Sequence, residues 1–213
     1  MLRAALRIVH DDSGPDAIEA AERAEGLVAR VRAGEAAAEV EFIAQYLPHV
    51  ARVLFRISGR RDGLDDLCQE VFLRAFERID ALEDAEGTRA WLTQFAVNVA
   101  REAIRARSRR GWLSFWAPAD LPDACAVDPT PDRQAEIHDA LQAAYEILDS
   151  LTPDARAAFV LRYFEDLPLA EVAKACGISV ATAKRRIHDA AEIFFARASR
   201  HEALRGWTRG GPS

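Results

Sequence analysis

The stretch from Leu167 to Phe195 constrains most strongly what this chain can fold into. Pro168 has the fixed φ that suits a first helical turn, and Gly177 tolerates the left-handed conformation that ends many helices. Ser179 follows as a good N-cap for a second helix. The apolar residues between Pro168 and Gly177 share one helix face: Leu169, Val172, Ala173 and Cys176. The stretch therefore predicts two short helices joined by a tight turn.

The second of these helices has an apolar stripe and an exposed basic half. The stripe consists of Ala183, Ile187, Ala190, Ala191 and Phe194. Polar residues lie off the stripe, mostly toward solvent: Thr182, Lys184, Arg185, Arg186 and His188. Two helices around a glycine turn, the second with a basic N-terminal half, are typical of a helix-turn-helix that binds DNA. An ordinary helical corner has the same pattern, so the rest of the chain must decide.

The chain as a whole is acidic, with a net charge of −6 from 28 Lys and Arg against 34 Asp and Glu. This excludes a protein that coats nucleic acid through its overall charge, and any DNA contact must come from local basic patches. Half of the residues are hydrophobic, which suffices for a buried core, and alternating β-branched runs are absent. We expect an all-α protein.

The cysteines and the apolar runs predict the compartment. Cys68, Cys125 and Cys176 are far apart and form no CxxC pair, which fits a reducing cytosol. No apolar run reaches the length of a membrane span, and no signal peptide is visible at the start. We expect a cytoplasmic chain without membrane insertion, in which Cys68 and Cys176 are small buried residues.

The N-terminal half has the apolar periodicity of four helices. They cover residues 16–32, 38–57, 64–82 and 89–107. In the second of them Pro48 should kink or divide the helix. The residues of this helix that are expected to point inward are Val40, Ile43, Ala44, Leu47, Val50, Ala51 and Leu54. Opposite the core stripe of the third helix lies a mostly acidic face.

That acidic face contains one apolar residue. Its members are Asp66, Gln69, Glu70 and Leu73. A single exposed leucine needs no explanation by itself. A leucine among carboxylates also fits a docking surface, on which the apolar residue anchors a protein partner and the charges orient it.

The fourth helix carries a polar face that ends in a cluster of arginines. Gln94, Asn98, Arg101 and Arg105 follow one another at steps of three or four residues. Residues 99–112 contain five arginines and one glutamate, a local charge of +4. A solvated helix end explains the arginines alone, because cations suit a helix C-terminus. Their continuity with an amide favours a phosphate-binding track beside a position that reads a base.

Residues 113–136 predict a flexible acidic linker between two small helical domains, because they hold four prolines and four aspartates. In the second domain, Thr152-Pro153-Asp154 marks a helix start. The expected divisions are a variable extension (1–24), a first domain (25–112), the linker (113–136), a second domain with the helix-turn-helix (137–200) and a disordered tail (201–213).

Four stretches of the sequence resemble RNA polymerase sigma factors of the extracytoplasmic-function type. They are LDDLCQEVFLRAF (64–76), AWLTQFAVNVAREAIR (90–105), LDSLTPDARAAFVLRYFEDLPLAEVAKACGIS (148–179) and TAKRRI (182–187). The resemblance keeps these blocks in the family's order. It implies that the first domain is similar to sigma region 2 and that the second is similar to sigma region 4.

The resemblance implies a transcription initiation factor that is not an enzyme and that needs no cofactor or metal. On the clamp of the largest subunits of core RNA polymerase, the docking residues would be Asp66, Gln69, Glu70 and Leu73. At the minus-ten promoter element, the contacts would come from Gln94, Asn98, Arg101 and Arg105, with Asn98 near the pocket for a flipped base. At the minus-thirty-five element, they would come from Ser179, Thr182, Lys184, Arg185, Arg186 and His188.

The same resemblance implies partners and a location. The partners are core polymerase, promoter DNA and an anti-sigma factor, which would hold the protein inactive. The protein would be cytoplasmic, on the nucleoid when bound to polymerase, and at the membrane when its anti-sigma factor is anchored there.

Three positions depart from the family pattern. Thr88 stands where an aromatic residue is frequent, Ala181 where glycine is frequent, and Asp189 where a basic residue is frequent. Asp189 cannot hold a phosphate, although it can accept a hydrogen bond from a cytosine amino group. The shape of the base pocket and one phosphate contact are thus open.

Two other classes of protein are alternatives on the sequence. Asp65, Asp66 and Glu70 cluster on one helix, as in a metal-dependent nuclease, although no second carboxylate or histidine group completes such a site. The other alternative is a dimeric helix-turn-helix regulator that does not need polymerase. Binding of the purified chain alone to a palindromic site would distinguish it.

Overall fold

The computed structural model describes residues 17–109 and 131–204. Within them the regular elements are helices: α1 (Ala17–Arg32), α2 (Ala36–Ser58), α3 (Leu64–Phe76), α4 (Thr88–Arg109), α5 (Pro131–Asp149), α6 (Pro153–Tyr163), α7 (Leu169–Cys176) and α8 (Val180–Ala198). Short 3-10 helices follow α3 and α8, at Ile79–Ala81 and Glu202–Leu204. The prediction of an all-α protein is confirmed. None of these helices is long and apolar enough to cross a bilayer.

Helix α2 forms the centre of the N-terminal domain, where it contacts α1, α3 and α4. Its residues Phe42 and Tyr46 are buried, with their ring centroids 4.7 Å apart. Phe42 also packs edge-on against Phe72 of α3, at 6.4 Å between ring centroids. Burial of each such side chain stabilises the fold by roughly 1.5–3 kcal/mol. The aromatic cluster therefore determines which face of α2 points inward.

The predicted inward face of α2 is confirmed in the second half of the helix, where Val50 and Leu54 are fully buried, and is wrong in the first half. Val40 and Leu47 are 68% and 40% exposed, and Ala44 is exposed as well. The aromatic residues of the helix bury more apolar area than these smaller side chains, and their face is the one that meets the core. Pro48 lies on the exposed side of α2 and does not divide the helix, since water can hydrate a carbonyl group that proline leaves unpaired.

Helix α3 ends at Phe76 rather than at the predicted Leu82. The chain then makes a 3-10 turn over Ile79–Ala81 and buries the side chains of Ile79 and Leu82. The carbonyl oxygens of both residues accept hydrogen bonds from the guanidinium group of Arg32 in α1, at 3.4 Å for Ile79. The apolar periodicity extends past Phe76 because these residues are still buried, although in a tighter turn.

Two segments that were predicted to be irregular are helical. Helix α5 begins at Pro131, so the expectation that residues 131–136 are linker without helix is wrong. Proline suits the first helical position, because the N–H that it lacks has no intrahelical partner there. Residues 202–204 form a 3-10 helix with Leu204 fully buried beside α5, which corrects the prediction of disorder there. Other parts of the predicted extension, linker and tail lie outside the described residues: 1–16, 113–130 and 205–213.

The predicted helix-turn-helix is present, and its caps are those that the sequence indicates. Gly177 ends α7 in the left-handed conformation, with φ 65° and ψ 39°. Ser179 Oγ accepts a hydrogen bond from the backbone N–H of Thr182 at 3.2 Å, at the start of α8. Thr152 Oγ1 accepts one from the N–H of Ala155 at 3.3 Å, at the start of α6. Each cap of this kind stabilises its helix by about 1 kcal/mol.

The two domains share one hydrophobic core. Helix α4 contacts α6 and α7, and α2 contacts α6. Phe55, near the end of α2, packs edge-on against Tyr145 of α5, with ring centroids 5.8 Å apart. Gly59 follows α2 with φ 74°, and a Cβ there would lie 2.7 Å from Arg156 Nη2 and 2.8 Å from Tyr145 Cδ1. The close approach of the domains therefore depends on glycine at this position.

Cys68 and Cys176 are buried free thiols, in agreement with the prediction. Burial raises the pKa of the Cys68 thiol to about 11, with a smaller contribution from Asp65. Burial also raises the pKa of the Cys176 thiol. Both thiols are therefore protonated near pH 7 and weakly nucleophilic. Cys125 lies outside the described residues.

Candidate functional site

The predicted docking residues on α3 are accessible from solvent. Asp66 and Gln69 are exposed, Leu73 is 53% exposed, and Glu70 is partly buried. These four residues, which we name the α3 face, lie on one side of the helix, opposite the buried Cys68 and its neighbours. The α3 face thus presents carboxylates around an apolar side chain that no part of the described chain covers.

Glu70 of the α3 face is tied to α4 through Arg74. Arg74 Nε donates to Glu70 at 2.7 Å, and Arg74 Nη2 donates to Glu102 of α4 at 2.7 Å. Glu102, followed by Glu70, raises the pKa of the Arg74 guanidinium, and Arg74 lowers the pKa of the Glu102 carboxyl. Because the three side chains are substantially exposed, each pair stabilises the fold by less than about 1 kcal/mol. The network's main effect is to orient the Glu70 carboxylate.

The face of α4 that is predicted to read a base is accessible to solvent at its centre. Asn98 is exposed and Gln94 is partly buried. Trp91 is partly buried and packs edge-on against Phe95 at 4.9 Å between ring centroids, as a supporting residue would. Thr88 is 1% exposed, and its hydroxyl donates to a carbonyl oxygen of the preceding loop at 2.7 Å. Thr88 therefore stabilises the start of α4 from a buried position.

The two predicted phosphate-binding arginines of α4 contact the second domain, and Arg105 is also exposed to solvent. Arg101 Nη2 donates to the carboxylate of Asp154, in the first turn of α6. Arg105 Nη2 lies 3.1 Å from the other oxygen of the same carboxylate. Arg186 Nη1 of α8 lies 3.7 Å from Asp154 Oδ1. We name these four residues the Asp154 cluster.

Arg101 is the most deeply placed member of the Asp154 cluster, with 14% of its side chain exposed. It also donates to the carbonyl oxygen of Cys176 at 3.2 Å, where α7 ends and helix carbonyl groups carry partial negative charge. Burial, together with the positive charges of Arg105 and Arg186, lowers the pKa of the Arg101 guanidinium. Arg101 is thus held by acceptors of the second domain on two helices.

The predicted recognition residues lie at the start of α8. Ser179, Lys184, Arg185 and His188 are exposed, whereas Thr182 and Arg186 are partly buried. Ser179 Oγ and Thr182 Oγ1 lie 2.8 Å apart, so both hydroxyls take part in the cap of α8. The side chains of Lys184 and Arg185 point to solvent, and His188 Nε2 lies 3.7 Å from Glu192 Oε1 in the next turn of α8. Arg186, in contrast, belongs to the Asp154 cluster.

A second group of charges joins the domains and was missed by sequence reasoning. Arg56 Nη1 of α2 lies 2.7 Å from Glu165 Oε1, just after α6, and 2.7 Å from the carbonyl oxygen of Phe164. Arg52 Nε lies 3.5 Å from Glu165 Oε2. Arg56 and Glu165 are only 9% and 8% exposed. Residues more than a hundred positions apart form this pair, and no local pattern marks either of them.

His49 of α2 is held between this group and α4. Arg52 Nη2 lies 3.1 Å from His49 Nδ1, and because arginine can only donate, Nδ1 is the acceptor. His49 Nε2 then carries the proton and faces Thr93 Oγ1 at 3.0 Å and the carbonyl oxygen of Arg89 at 3.2 Å. Burial, followed by the charge of Arg52, lowers the pKa of His49 to about 4. The imidazole is therefore neutral near pH 7.

The carboxylates that suggested a nuclease do not form a metal site with other residues. Within residues 17–109 and 131–204, no three His, Cys, Asp or Glu side chains are grouped so that they could hold a metal ion. Asp65, Asp66 and Glu70 lie along one turn and a half of α3 without a further ligand opposite them. The geometry therefore gives no support to the nuclease alternative.

Both domains match models of known protein families. Residues 42–110 match the model of Sigma-70 region 2. Residues 141–192 match the model of Sigma-70, region 4. The α3 face and the polar face of α4 lie in the first match, and the Asp154 cluster joins it to the second.

Individual relatives agree with these models. The ECF RNA polymerase sigma factor SigE of Mycolicibacterium smegmatis is 34% identical over 70% of this chain, which spans 56% of that protein's length. The ECF RNA polymerase sigma factor EcfG of Rhodopseudomonas palustris is 30% identical over 68% of this chain and 76% of its own length. The chain thus spans about half the length of the first of these relatives and three quarters of the second.

A solved structure agrees in fold. The sigma factor RpoE of Bartonella quintana, in complex with the anti-sigma factor NepR, superposes with a TM-score of 0.56 at 21% identity, over 74% of this chain and 94% of that one. Helix order, the two region models and the relatives all point to one family. The chain belongs to the extracytoplasmic-function (ECF) family of RNA polymerase sigma factors.

Proposed function

We propose that this protein binds core RNA polymerase and directs transcription initiation at specific promoters, which it recognises and helps to melt, and that it is not itself an enzyme. The observation that carries the proposal is the pair of sigma regions in their order along the chain, with accessible polar faces on α3, α4 and α8. The family relationship makes these faces candidates for polymerase and promoter contacts. Each contact below is part of the proposal.

The α3 face docks on the clamp of core polymerase. Leu73, which is 53% exposed, enters an apolar site on the partner, and Asp66 and Glu70 face basic residues there. An apolar centre with a charged rim is the usual arrangement of a protein interface, in which the buried centre supplies most of the affinity. Gln69, which is exposed on the same side, adds a hydrogen bond.

Helix α4 contacts the minus-ten element. Asn98 can both donate to and accept from the edge of a base that has left the stack, and Gln94 lies one turn before it. Extrusion of a base costs a few kcal/mol. Arg101 and Arg105 would offset part of this cost by binding backbone phosphates, once they are released from Asp154.

Helix α8 contacts the minus-thirty-five element in the major groove. Lys184 and Arg185 are exposed in its first two turns, and His188 lies one turn later. A good side-chain contact to a base discriminates against other bases by about 1–3 kcal/mol. Ser179, Thr182 and Arg186 position the helix start on the DNA backbone, through the cap and through phosphate contacts.

An anti-sigma factor is the remaining partner in this proposal. Support comes from the Bartonella quintana relative in fold, which was solved in complex with the anti-sigma factor NepR. We place the protein in the cytoplasm, on the nucleoid when it is bound to polymerase. It would be retained at the membrane when its anti-sigma factor is anchored there.

The proposal is tested by transcription in vitro from genomic DNA with core polymerase, with and without the protein, followed by mapping of the start sites. We expect protein-dependent start sites that share one upstream sequence and one minus-ten sequence. Core polymerase alone is the control. The absence of new start sites, or binding of the chain alone to a palindromic site without any effect on polymerase, would refute the proposal.

Charge reversal tests the docking face. The double variant Asp66→Lys with Glu70→Lys should weaken capture of core polymerase at least tenfold, a loss of about 1.4 kcal/mol or more. The matched control is Asp80→Lys with Glu83→Lys, since both residues are exposed after α3 and the net charge changes equally. Equal capture of polymerase by both double variants would show that the α3 face is not the docking site.

Recognition by α8 is tested with two promoter templates. Lys184→Ala and Arg185→Ala should reduce transcription from the natural promoter, and the loss should shrink when the upstream element is already altered. Glu171→Ala, an exposed change on α7, serves as the control. An equal loss on every template would mean that Lys184 and Arg185 bind only phosphates.

A further inference from the structure

The Asp154 cluster brings together arginines from both proposed DNA-binding elements. Arg101 and Arg105 belong to the minus-ten helix α4, and Arg186 belongs to the recognition helix α8. All three guanidinium groups converge on one carboxylate that is 28% exposed. While they do so, part of their positive charge is neutralised by Asp154, and Arg101, at 14% exposed, is largely withheld from promoter phosphates.

The charge of the cluster is unbalanced in a way that favours exchange for DNA. One carboxylate faces three guanidinium groups, so the cluster keeps an excess of two positive charges. Arg186 Nη1 and Arg101 Nε have no hydrogen-bond partner within the described part of the chain. Phosphate groups along DNA would supply the missing negative charge, whereas Asp154 alone does not.

The rest of the interface holds the same two domains together. The buried pair of Arg56 and Glu165 lies at 2.7 Å, and the rings of Phe55 and Tyr145 are in edge-on contact. Gly59 is so close to the second domain that an added Cβ would meet Arg156 Nη2 at 2.7 Å. An added methyl group would therefore force the Arg156 guanidinium group and the buried Tyr145 ring to shift, and displacement of this ring would strain the contact between the domains.

We infer that the interface between the two domains is an autoinhibitory latch, in which the Asp154 carboxylate occupies the arginines that bind DNA phosphates in the active protein. This inference rests on the proposed function. In the free chain the two domains are in contact, Asp154 engages arginines of both α4 and α8, and the protein binds DNA weakly. Docking on polymerase separates the domains and releases Arg101, Arg105 and Arg186 together.

The first test removes the carboxylate charge. Asp154→Asn keeps the size of the side chain, and Glu171→Gln is the matched control, because Glu171 is an exposed acid in the first turn of α7 and the net charge changes equally. The free full-length proteins are titrated against a fluorescent 30-base-pair duplex of random sequence by anisotropy at several KCl concentrations. We expect Asp154→Asn to bind about tenfold tighter than Glu171→Gln.

The salt dependence shows whether arginines were released. Each additional phosphate contact steepens the slope of log K against log [KCl] by about 0.9. Release of the cluster should therefore steepen the slope of Asp154→Asn by about two to three relative to Glu171→Gln. Equal affinities and equal slopes for the two variants would overturn the latch.

The second test separates the domains without changing any charge. Gly59→Ala introduces the Cβ that collides with Arg156 and Tyr145, and Gly63→Ala is its control. Gly63 has nearly the same backbone conformation, with φ 72° against 74°, but no atom within 4 Å of the added Cβ. Small-angle X-ray scattering of the free proteins should give a larger radius of gyration for Gly59→Ala than for Gly63→Ala, and its duplex binding should be tighter.

These measurements separate the latch from the proposed function. If Gly59→Ala has the same radius of gyration and the same duplex affinity as Gly63→Ala, the latch is overturned. If Gly59→Ala does not fold, the comparison of the duplex affinities of Asp154→Asn and Glu171→Gln decides. Scattering and duplex binding need no polymerase. If wild-type protein gives no promoter-specific transcript with saturating core polymerase, the proposed function fails, and the domain closure is still judged by the two free-chain assays.

Discussion

The interface between the two domains has a buried end and an exposed end, and they differ in chemistry. At the buried end, Arg56 and Glu165 are 9% and 8% exposed and the rings of Phe55 and Tyr145 pack together. At the exposed end, Arg105 is 46% and Asp154 is 28% exposed. The buried end excludes water from an ion pair, whereas the exposed end keeps its charges within reach of solvent, salt and other anions.

This difference indicates which end of the interface stabilises the contact between the domains and which end responds to ligands. A buried charge that loses its partner is strongly destabilising, because it stays out of water without compensation. An exposed pair is weak and is screened by salt over about 8–10 Å at physiological ionic strength. The buried end should therefore carry the stability of the closed arrangement, and the exposed end should carry its sensitivity to DNA.

The largest expected effect comes from breaking the buried pair. Glu165→Gln removes the negative charge beside the buried guanidinium group of Arg56, which keeps its contact with the carbonyl oxygen of Phe164, and should lower the free energy of unfolding by about 3 kcal/mol. Glu70→Gln, which breaks an exposed pair with Arg74, is the control and should cost less than about 1 kcal/mol. Urea denaturation measures both. Similar losses for the two variants would contradict the distinction between the ends.

The next effect is a pH dependence located at the buried end. The pKa of His49 is about 4 in the folded protein, because of burial and of Arg52, against about 6.5 in an unfolded chain. Between these values the unfolded state binds the proton and the folded state does not. Stability is therefore complete above pH 6.5 and falls as the pH drops toward 4, by at most about 3 kcal/mol.

The charges around His49 have opposing effects on this titration. Arg52 and Arg89 repel an imidazolium, and Glu165 attracts it. His49→Gln removes the titrating group and should flatten the dependence of the urea midpoint on pH between 4 and 6.5. An unchanged pH profile in His49→Gln would show that other groups cause the loss of stability.

A smaller effect is expected at the exposed end. Arg105→Gln removes one of the three charges on Asp154 and should lower the free energy of unfolding by less than about 1 kcal/mol in low salt. At 1 M KCl the screening length is about 3 Å, so the difference from wild type should disappear. The loss in Glu165→Gln should persist at the same salt concentration. If the free energy of unfolding of Arg105→Gln is lowered equally at low and high salt, the pair of Arg105 and Asp154 behaves like the pair at the buried end.

The smallest effect on stability is expected at Asn98, which lies on α4 but belongs to neither end of the interface. Asn98→Ala should leave the melting temperature unchanged or slightly raised, because asparagine is a weaker helix former than alanine and the side chain is exposed. It should nevertheless reduce open-complex formation on duplex promoters with core polymerase.

A promoter that is already melted at the minus-ten element refines the test of Asn98. If Asn98 reads the flipped base, the defect of Asn98→Ala persists on this template. If Asn98 only helps to open the duplex, the defect disappears. Wild-type rates on both templates would leave Asn98 without a role in initiation.

The features that sequence reasoning predicted well are local ones. Gly177, Ser179 and Thr152 mark helix ends through their own backbone and side-chain preferences, and the structure has them in those roles. The family followed from ordered motifs. The inward face of α2 was predicted correctly at Val50 and Leu54 and wrongly at Val40. Periodicity alone does not rank neighbouring apolar stripes, and in the first half of α2 the stripe with Phe42 buries more area than the stripe with Val40.

The interface was not predictable from such signals. Arg101 and Asp154 are 53 positions apart, and each has a sufficient local explanation, as a helix-end cation and as a first-turn acid. Arg56 and Glu165 are 109 positions apart and carry no local mark. Charges of either sign are frequent on helices, so only the packing of the two domains selects which of them meet.

The edge-on contact of Phe55 and Tyr145 has a consequence for temperature. These side chains are 6% and 2% exposed, and separation of the domains would bring them into water. Exposure of apolar surface raises the heat capacity, and the attraction between apolar groups weakens on cooling. The separated form should thus gain population in the cold, and the enthalpy of binding to polymerase should change with temperature rather than stay constant. The fraction of the protein that is open for binding would then depend on temperature, because opening exposes these two aromatic rings to water.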